Sequence, residues 1–227
     1  MSPVLTVEIH FDLICPWCLI GKRHLDTALA ALHRLRPDIQ TEIIWRSHQL
    51  LPDTPPEGLP YQAFYLRRLG SPASVAARRA QVQEAARPAE IAFAFDRIQV
   101  MPNTRSAHRL IALASRHGNE EQTAILIDRL FSAYFMDGEN IGDPGVLLRI
   151  GADCGVDTTA LATAMSVPDG CERDREHEAA DPREVPGVPF FIFNGRFPVS
   201  GARPPGALLE VMQQAALVVP PAESAIS

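Results

Sequence analysis

Apolar and polar residues alternate from Val4 to Phe11, with Val7, Ile9 and Phe11 set against Thr6, Glu8 and His10. That two-residue period predicts a strand. The strand runs straight into Asp12-Leu13-Ile14-Cys15-Pro16-Trp17-Cys18. The period then changes: Leu25, Ala28, Leu29, Leu32 and Leu35 recur at three- and four-residue spacing and mark one face of a helix, which Pro37-Asp38 ends. Thr41 to Trp45 reads as a second short strand. The first 46 residues therefore predict β-α-β, with two cysteines at the strand-to-helix junction.

Prolines 52, 55, 56 and 60 mark an exit loop, and from about Tyr61 to Glu178 the periodicity is helical. Tyr61–Leu69 and Ala73–Ala86 are separated by Gly70 and Pro72. Asn103 or Thr104 is placed to cap a helix with Ala107, Leu110, Ile111 and Ala114 on one face, stopped by Gly118. Glu120–Phe135 is a further helix. Asp143-Pro144 forms the cap and first turn of one ending near Gly155, and Asp157 or Thr158 is a cap for another. After Pro186 the pattern reverts: Phe190–Phe193 reads as a buried strand, Asn194-Gly195 as a hairpin turn, and Arg196–Ser200 as its partner strand. Pro204-Pro205 opens a last helix with Leu208, Leu209, Met212 and Ala216. Neither end alone makes a full sheet. Together they give four strands and two helices, so residues 1–55 and 183–218 are expected to form one discontinuous α/β domain, with 56–182 an all-helical insertion and 219–227 a flexible tail.

Composition narrows the function. The 227-residue chain carries a net charge of -6 and 46% hydrophobic residues. An acidic chain lacks the cationic surplus that sequence-independent nucleic-acid binding needs. No apolar run approaches the roughly 20 residues that span a bilayer, and the N-terminus has no basic, apolar leader pattern. The expectation is a cytoplasmic protein with reduced thiols and neither nucleic acid nor membrane as a partner.

Four cysteines are too few for a disulfide scaffold. The Cys15-Pro16-Trp17-Cys18 spacing carries the chemistry. A helix N-terminus holds unpaired N–H groups and partial positive charge, which favour a thiolate. A free thiol is only about 3% ionised at pH 7, and moving its pKa to about 6 takes about 3.4 kcal/mol. Two intervening residues bring Cys18 within bonding distance, so Cys15 is expected to attack and Cys18 to resolve. Half a zinc site is the competing reading, but neither Cys154 nor Cys171 nor a histidine forms a second close pair, and no metal is expected. Gly187-Val188-Pro189 precedes a buried strand. A cis Val188-Pro189 bond there turns the Val188 backbone outward toward an extended thiol substrate, whereas a plain proline at the first strand position explains the same residues. Asp12 reads equally as an acceptor for the Cys18 proton and as a turn residue. His10 falls on the sheet face opposite Ile9, His24 reads as solvated, and Cys154 as a small core residue. Cys171 lies in a polar segment where pairing with Cys154 is one arrangement. The charged run 172–178 reads as a solvated face.

Taken together, these motifs resemble the DsbA-like branch of the thioredoxin superfamily, most of all its FrnE-type members. The resemblance rests on Phe11-Asp12 before Cys15-Pro16-Trp17-Cys18, with Gly21-Lys22-Arg23 after it. It rests also on Met101-Pro102-Asn103-Thr104 leading to Ala107-His108-Arg109-Leu110, on Leu130 to Phe135, on Ile141-Gly142-Asp143, and on Gly187-Val188-Pro189 with Ser200-Gly201-Ala202. It implies a thioredoxin fold with a helical insertion, a cis-proline facing the dithiol, and thiol–disulfide exchange with Cys15 and Cys18 catalytic. Pro16, Trp17, Val188, Pro189, Asn103 and His108 would be substrate-binding. No cofactor is then required, and the partners would be a thiol- or disulfide-bearing protein or small molecule, glutathione among them, with the chain a monomer or homodimer. The same resemblance extends to kappa-class glutathione transferases and 2-hydroxychromene-2-carboxylate isomerases, which would act with glutathione on a small aromatic or polyketide-like substrate. Those typically place serine at the Cys15 position, lack the second cysteine, and carry an acidic residue where this chain has Ala202.

Overall fold

In a computed structural model, residues 3–157, 159, 163 and 185–218 are described. Strand β1 (Val4–Phe11) leads into helix α1 (Pro16–Leu35) and strand β2 (Gln40–Ser47). A helical segment follows: α2 (Tyr61–Leu69), α3 (Pro72–Ala86), α4 (Arg105–His117), α5 (Glu120–Ser132) and α6 (Pro144–Asp153). Strands β5 (Phe190–Phe193) and β6 (Phe197–Ser200) and helix α7 (Pro205–Leu217) complete the order. Two short strands, β3 (Leu59–Pro60) and β4 (Val100–Met101), lie within the helical segment.

The main sheet has the order β2-β1-β5-β6, with β1 and β2 parallel and the other pairs antiparallel. This is a mixed α/β fold with helices between its two halves, the arrangement the resemblance implied. Register puts Val7 opposite Phe193 and Ile9 opposite Phe191, so these side chains share one face with Leu5 and are wholly buried. Leu25, Ala28 and Leu32 of α1 and Leu208, Met212 and Ala215 of α7 supply the buried residues of the helical layer. Each large side chain buried there contributes about 1.5–3 kcal/mol over exposure. Asn194 and Gly195 both have positive φ, as the tight hairpin requires, and Asn194 ties it down by accepting from the Thr6 N–H at 2.9 Å.

The structure departs from the sequence pattern in a few places. Leu35 closes the apolar stripe of α1 in sequence but is 60% exposed, since it occupies the helix's last turn. The middle segment is not wholly helical: Leu59 and Pro60 pair antiparallel with Val100 and Met101, a link across forty residues that no local period reveals. The helix expected to run to Phe135 changes to a π turn at Ala133–Asp137, which presents Tyr134 and Phe135 to the core beside Phe131. Cys154 is half-buried rather than core. The Asp157 carboxylate accepts from the Thr159 N–H at 2.8 Å, while most of the helix read after it lies outside the described residues. Cys171, the run 172–178 and the tail 219–227 lie outside the described residues, as does any 154–171 pairing.

The sheet unit and the helical segment are tied by Lys22. Its buried Nζ donates to Asp26 of α1 and to Asp128 of α5, both at 3.0 Å, and Arg23 adds a contact to Asp128 at 3.5 Å.

Candidate active site

Strand β1 ends at Phe11 and the chain turns on Asp12, whose carbonyl accepts from the Cys15 N–H at 3.2 Å. Cys15 is the N-cap of α1 in extended conformation, with no side-chain bond of its own to the helix. Pro16 takes the first helical position, where a missing N–H costs nothing. The Cys15 carbonyl accepts from the Cys18 N–H at 3.0 Å, so Cys18 lies one turn in. No bond joins the two sulfurs, and Cys15 is 5% exposed and Cys18 2%. Cys15 is the more exposed of the two, by a narrow margin.

The two thiols differ in environment. Burial pushes the Cys18 thiol well above the ordinary range, and the hydrogen bond and charge of Cys15 add to that, as does the Asp12 charge. The Cys15 Sγ donates to the Val188 carbonyl at 3.7 Å. The Val188-Pro189 peptide bond is cis, and the Pro189 ring packs on α1, where a Cβ at Gly21 would meet its Cγ at 2.9 Å. Glycine at 21 is what lets this loop sit against the helix carrying the dithiol. Trp17 is half-buried, with the Arg78 guanidinium of α3 over its ring at 5.8 Å.

On the inner side, Asp12 is fully buried yet fully bonded. Its Oδ1 accepts from the Leu13 N–H at 2.8 Å and from His108 Nε2 at 3.2 Å, and its Oδ2 from the Leu50 N–H at 2.7 Å. Asp12 is thus a turn residue whose charge also bears on Cys18. His108 projects from α4 edge-on to Phe11 and is 7% exposed. Asn103 is committed to protein partners, accepting from the Arg105 N–H at 2.9 Å and donating to the Thr54 carbonyl at 2.6 Å. The structure therefore brings Cys15, Cys18, Pro16, Trp17, Val188 and Pro189 together. It places His108 behind them through Asp12, and Asn103 in the cap of α4.

Comparison with known proteins decides the family. A model of the DSBA-like thioredoxin domain matches residues 6–213. The chain belongs to the DsbA-like family. It is similar to a probable DsbA oxidoreductase from Streptomyces coelicolor, at 25% identity and TM-score 0.79 over 96% of this chain and 92% of the other. It shares its fold with a 2-hydroxychromene-2-carboxylate isomerase (18% identity, TM-score 0.64, 92% and 95% covered). It also shares it with the cytosolic disulfide reductase DsbM of Pseudomonas aeruginosa (20% identity, TM-score 0.58, 93% and 95% covered), a protein also solved with GSH.

Three residues of this DsbA-like chain were read otherwise from sequence or not singled out. His24 is buried rather than solvated, and its Nδ1 donates to the Arg203 carbonyl at 2.9 Å, fixing α1 to the loop before α7. Tyr65 of α2 is half-buried within electrostatic reach of Cys15. Arg78 covers Trp17 from sixty residues away. No sequence period points from either insertion helix to the dithiol. No group of three or more potential metal ligands gathers among the described residues, and no helix among them is long and apolar enough to cross a membrane.

Proposed function

We propose that this protein is a thiol–disulfide oxidoreductase working through Cys15 and Cys18. Cys15, as thiolate, attacks a substrate disulfide; one sulfur leaves as thiolate and a Cys15–substrate disulfide forms. Cys18 loses its proton and attacks the Cys15 sulfur, the second substrate thiolate leaves, and the protein ends oxidised by two electrons. Run backward, the same steps oxidise a dithiol. The observation carrying this reading is the asymmetry of the pair: Cys15 caps α1 against the Val188 carbonyl, while Cys18 sits one turn deeper with its thiol pushed up by burial. A nucleophile must border the mouth, and a resolving thiol must stay protonated until needed.

That second requirement calls for a proton acceptor, and Asp12 is the buried carboxylate in place for it, held by His108. Val188 and Pro189 hold the partner at the mouth. No metal or bound cofactor enters the reaction. Glutathione is a suitable thiol partner, and the cytoplasm, where thiols stay reduced, is the compartment this chemistry suits.

The test is insulin reduction by the wild type and by Cys15→Ser. The serine variant is expected to lose activity entirely, and activity surviving in it would end this mechanism. Cys18→Ala separates the rival reading: an oxidoreductase stalls as a mixed disulfide, whereas a glutathione-dependent isomerase tolerates the loss.

A further inference from the structure

The chain is acidic overall, yet residues 61–86, which form α2 and α3, hold four arginines against one glutamate. Arg79 is already engaged, donating to Asp96 at 2.8 Å and to Gln62 at 3.2 Å. Arg68 and Arg78 have no carboxylate partner among the described residues. Arg78 donates only to the neutral Gln81, at 2.7 Å, while its guanidinium stands over Trp17, two residues from Cys15. Arg68 lies one turn after Tyr65 on α2, and Tyr65 is within electrostatic reach of Cys15, Arg68 and Arg78 alike. Two exposed guanidiniums with no carboxylate partner among the described residues therefore lie on the side of Cys15 that Trp17 and Tyr65 occupy.

We propose that Arg68 and Arg78 make this site selective for low-molecular-weight disulfides bearing carboxylates, the anion lying along the Trp17–Arg78 edge of the mouth while its disulfide meets Cys15. A planar guanidinium that stands over an indole and gives one donor to Gln81 keeps further donors at its edge, where a carboxylate accepts two at once. With Cys15 only 5% exposed, the opening suits a slender compound whose charge lies a few bonds from its sulfur. This inference rests on the dithiol reading above. The reduced protein supplies both electrons: one disulfide becomes two thiols and Cys15–Cys18 becomes the disulfide, with one proton from Cys18 and the other, released when Cys15 ionised, from solvent.

The experiment is a single turnover of the fully reduced protein against dithiodiglycolate, which is dianionic, and 2-hydroxyethyl disulfide, which is neutral. The readout is the ratio of the two rate constants, in which intrinsic reactivity cancels between variants. In the Arg68→Gln/Arg78→Gln double variant the ratio is expected to fall about five- to tenfold, the size of two exposed charge pairs. Salt near 1 M should lower the wild-type ratio toward the variant's, because screening there acts over about 3 Å. Arg78→Lys should retain much of the selectivity. A ratio in the double variant within about twofold of wild type, as if the exposed arginines made no contact, overturns the inference. Equal loss in Arg78→Lys and Arg78→Gln overturns charge as its cause. If the wild type reduces neither compound, the dithiol reading falls and this inference with it; if it reduces both and the ratio ignores the arginines, only this inference falls.

Discussion

The sheet unit and the helical segment contribute to the site in different ways. The sheet unit sets Cys15 and Cys18 by backbone alone: a strand ends, a turn closes on the Asp12 carbonyl, and a helix begins. It brings up Val188 through the neighbouring strand β5, which pairs with β1 from Val7 to His10. The helical segment contributes side chains at a distance: His108 behind Asp12, Arg78 over Trp17, and Tyr65 within electrostatic reach of Cys15. In the proposed mechanism, one region makes the reactive pair and the other decides how that pair exchanges protons and what reaches it.

Asp12, where the two regions touch, offers the largest effect. Asp12→Asn should slow resolution of the mixed disulfide by about 100-fold, the scale of a lost proton acceptor. Mass spectrometry of quenched single turnovers should show the Cys15–substrate adduct accumulating. His108→Ala should cost less, because the Leu13 and Leu50 N–H groups still hold the carboxylate. Equal losses would mean that the helical segment carries the proton itself and not merely its acceptor.

The mechanical tie comes next. Asp128→Ala leaves the buried Lys22 with only Asp26 and should destabilise the protein by about 2 kcal/mol in urea, between the exposed-pair and buried-pair ranges. If only redox activity fell, the pair would be serving the site and not the joint. Gly21→Ala should cost about 1 kcal/mol, by pushing the Pro189 ring away from α1. Its effect should be greater on exchange rate than on stability, which stopped-flow and denaturation together would separate.

The smallest effect concerns pH. Burial holds the imidazoles of His10 and His48 below the usual histidine range, with Glu8 opposing this at His10 and Asp12 at His48. Their folded pKa values lie under the unfolded one, so the stability they contribute is complete above about pH 6.5 and is lost as pH falls through their folded values. His48→Gln should flatten the acid limb of a stability–pH curve between pH 6.5 and 5. An unchanged limb would assign it to carboxylates instead.

Strand β1, the Cys-Pro-Trp-Cys turn, α1 and the Asn194-Gly195 hairpin were all legible in the amino-acid order, because each is governed by neighbours within a turn or a strand. Backbone periodicity and capping operate over two to four residues, and so does the spacing that sets one cysteine a helical turn from the other. What only the tertiary structure decided lies between residues far apart in the chain: the β3–β4 link, the burial of His24 against Arg203, Lys22 on Asp128, His108 on Asp12, and Arg78 over Trp17. Packing of the two regions chose those partners, and a histidine or arginine on a helix has the same local pattern whether it meets water, a carbonyl or an indole.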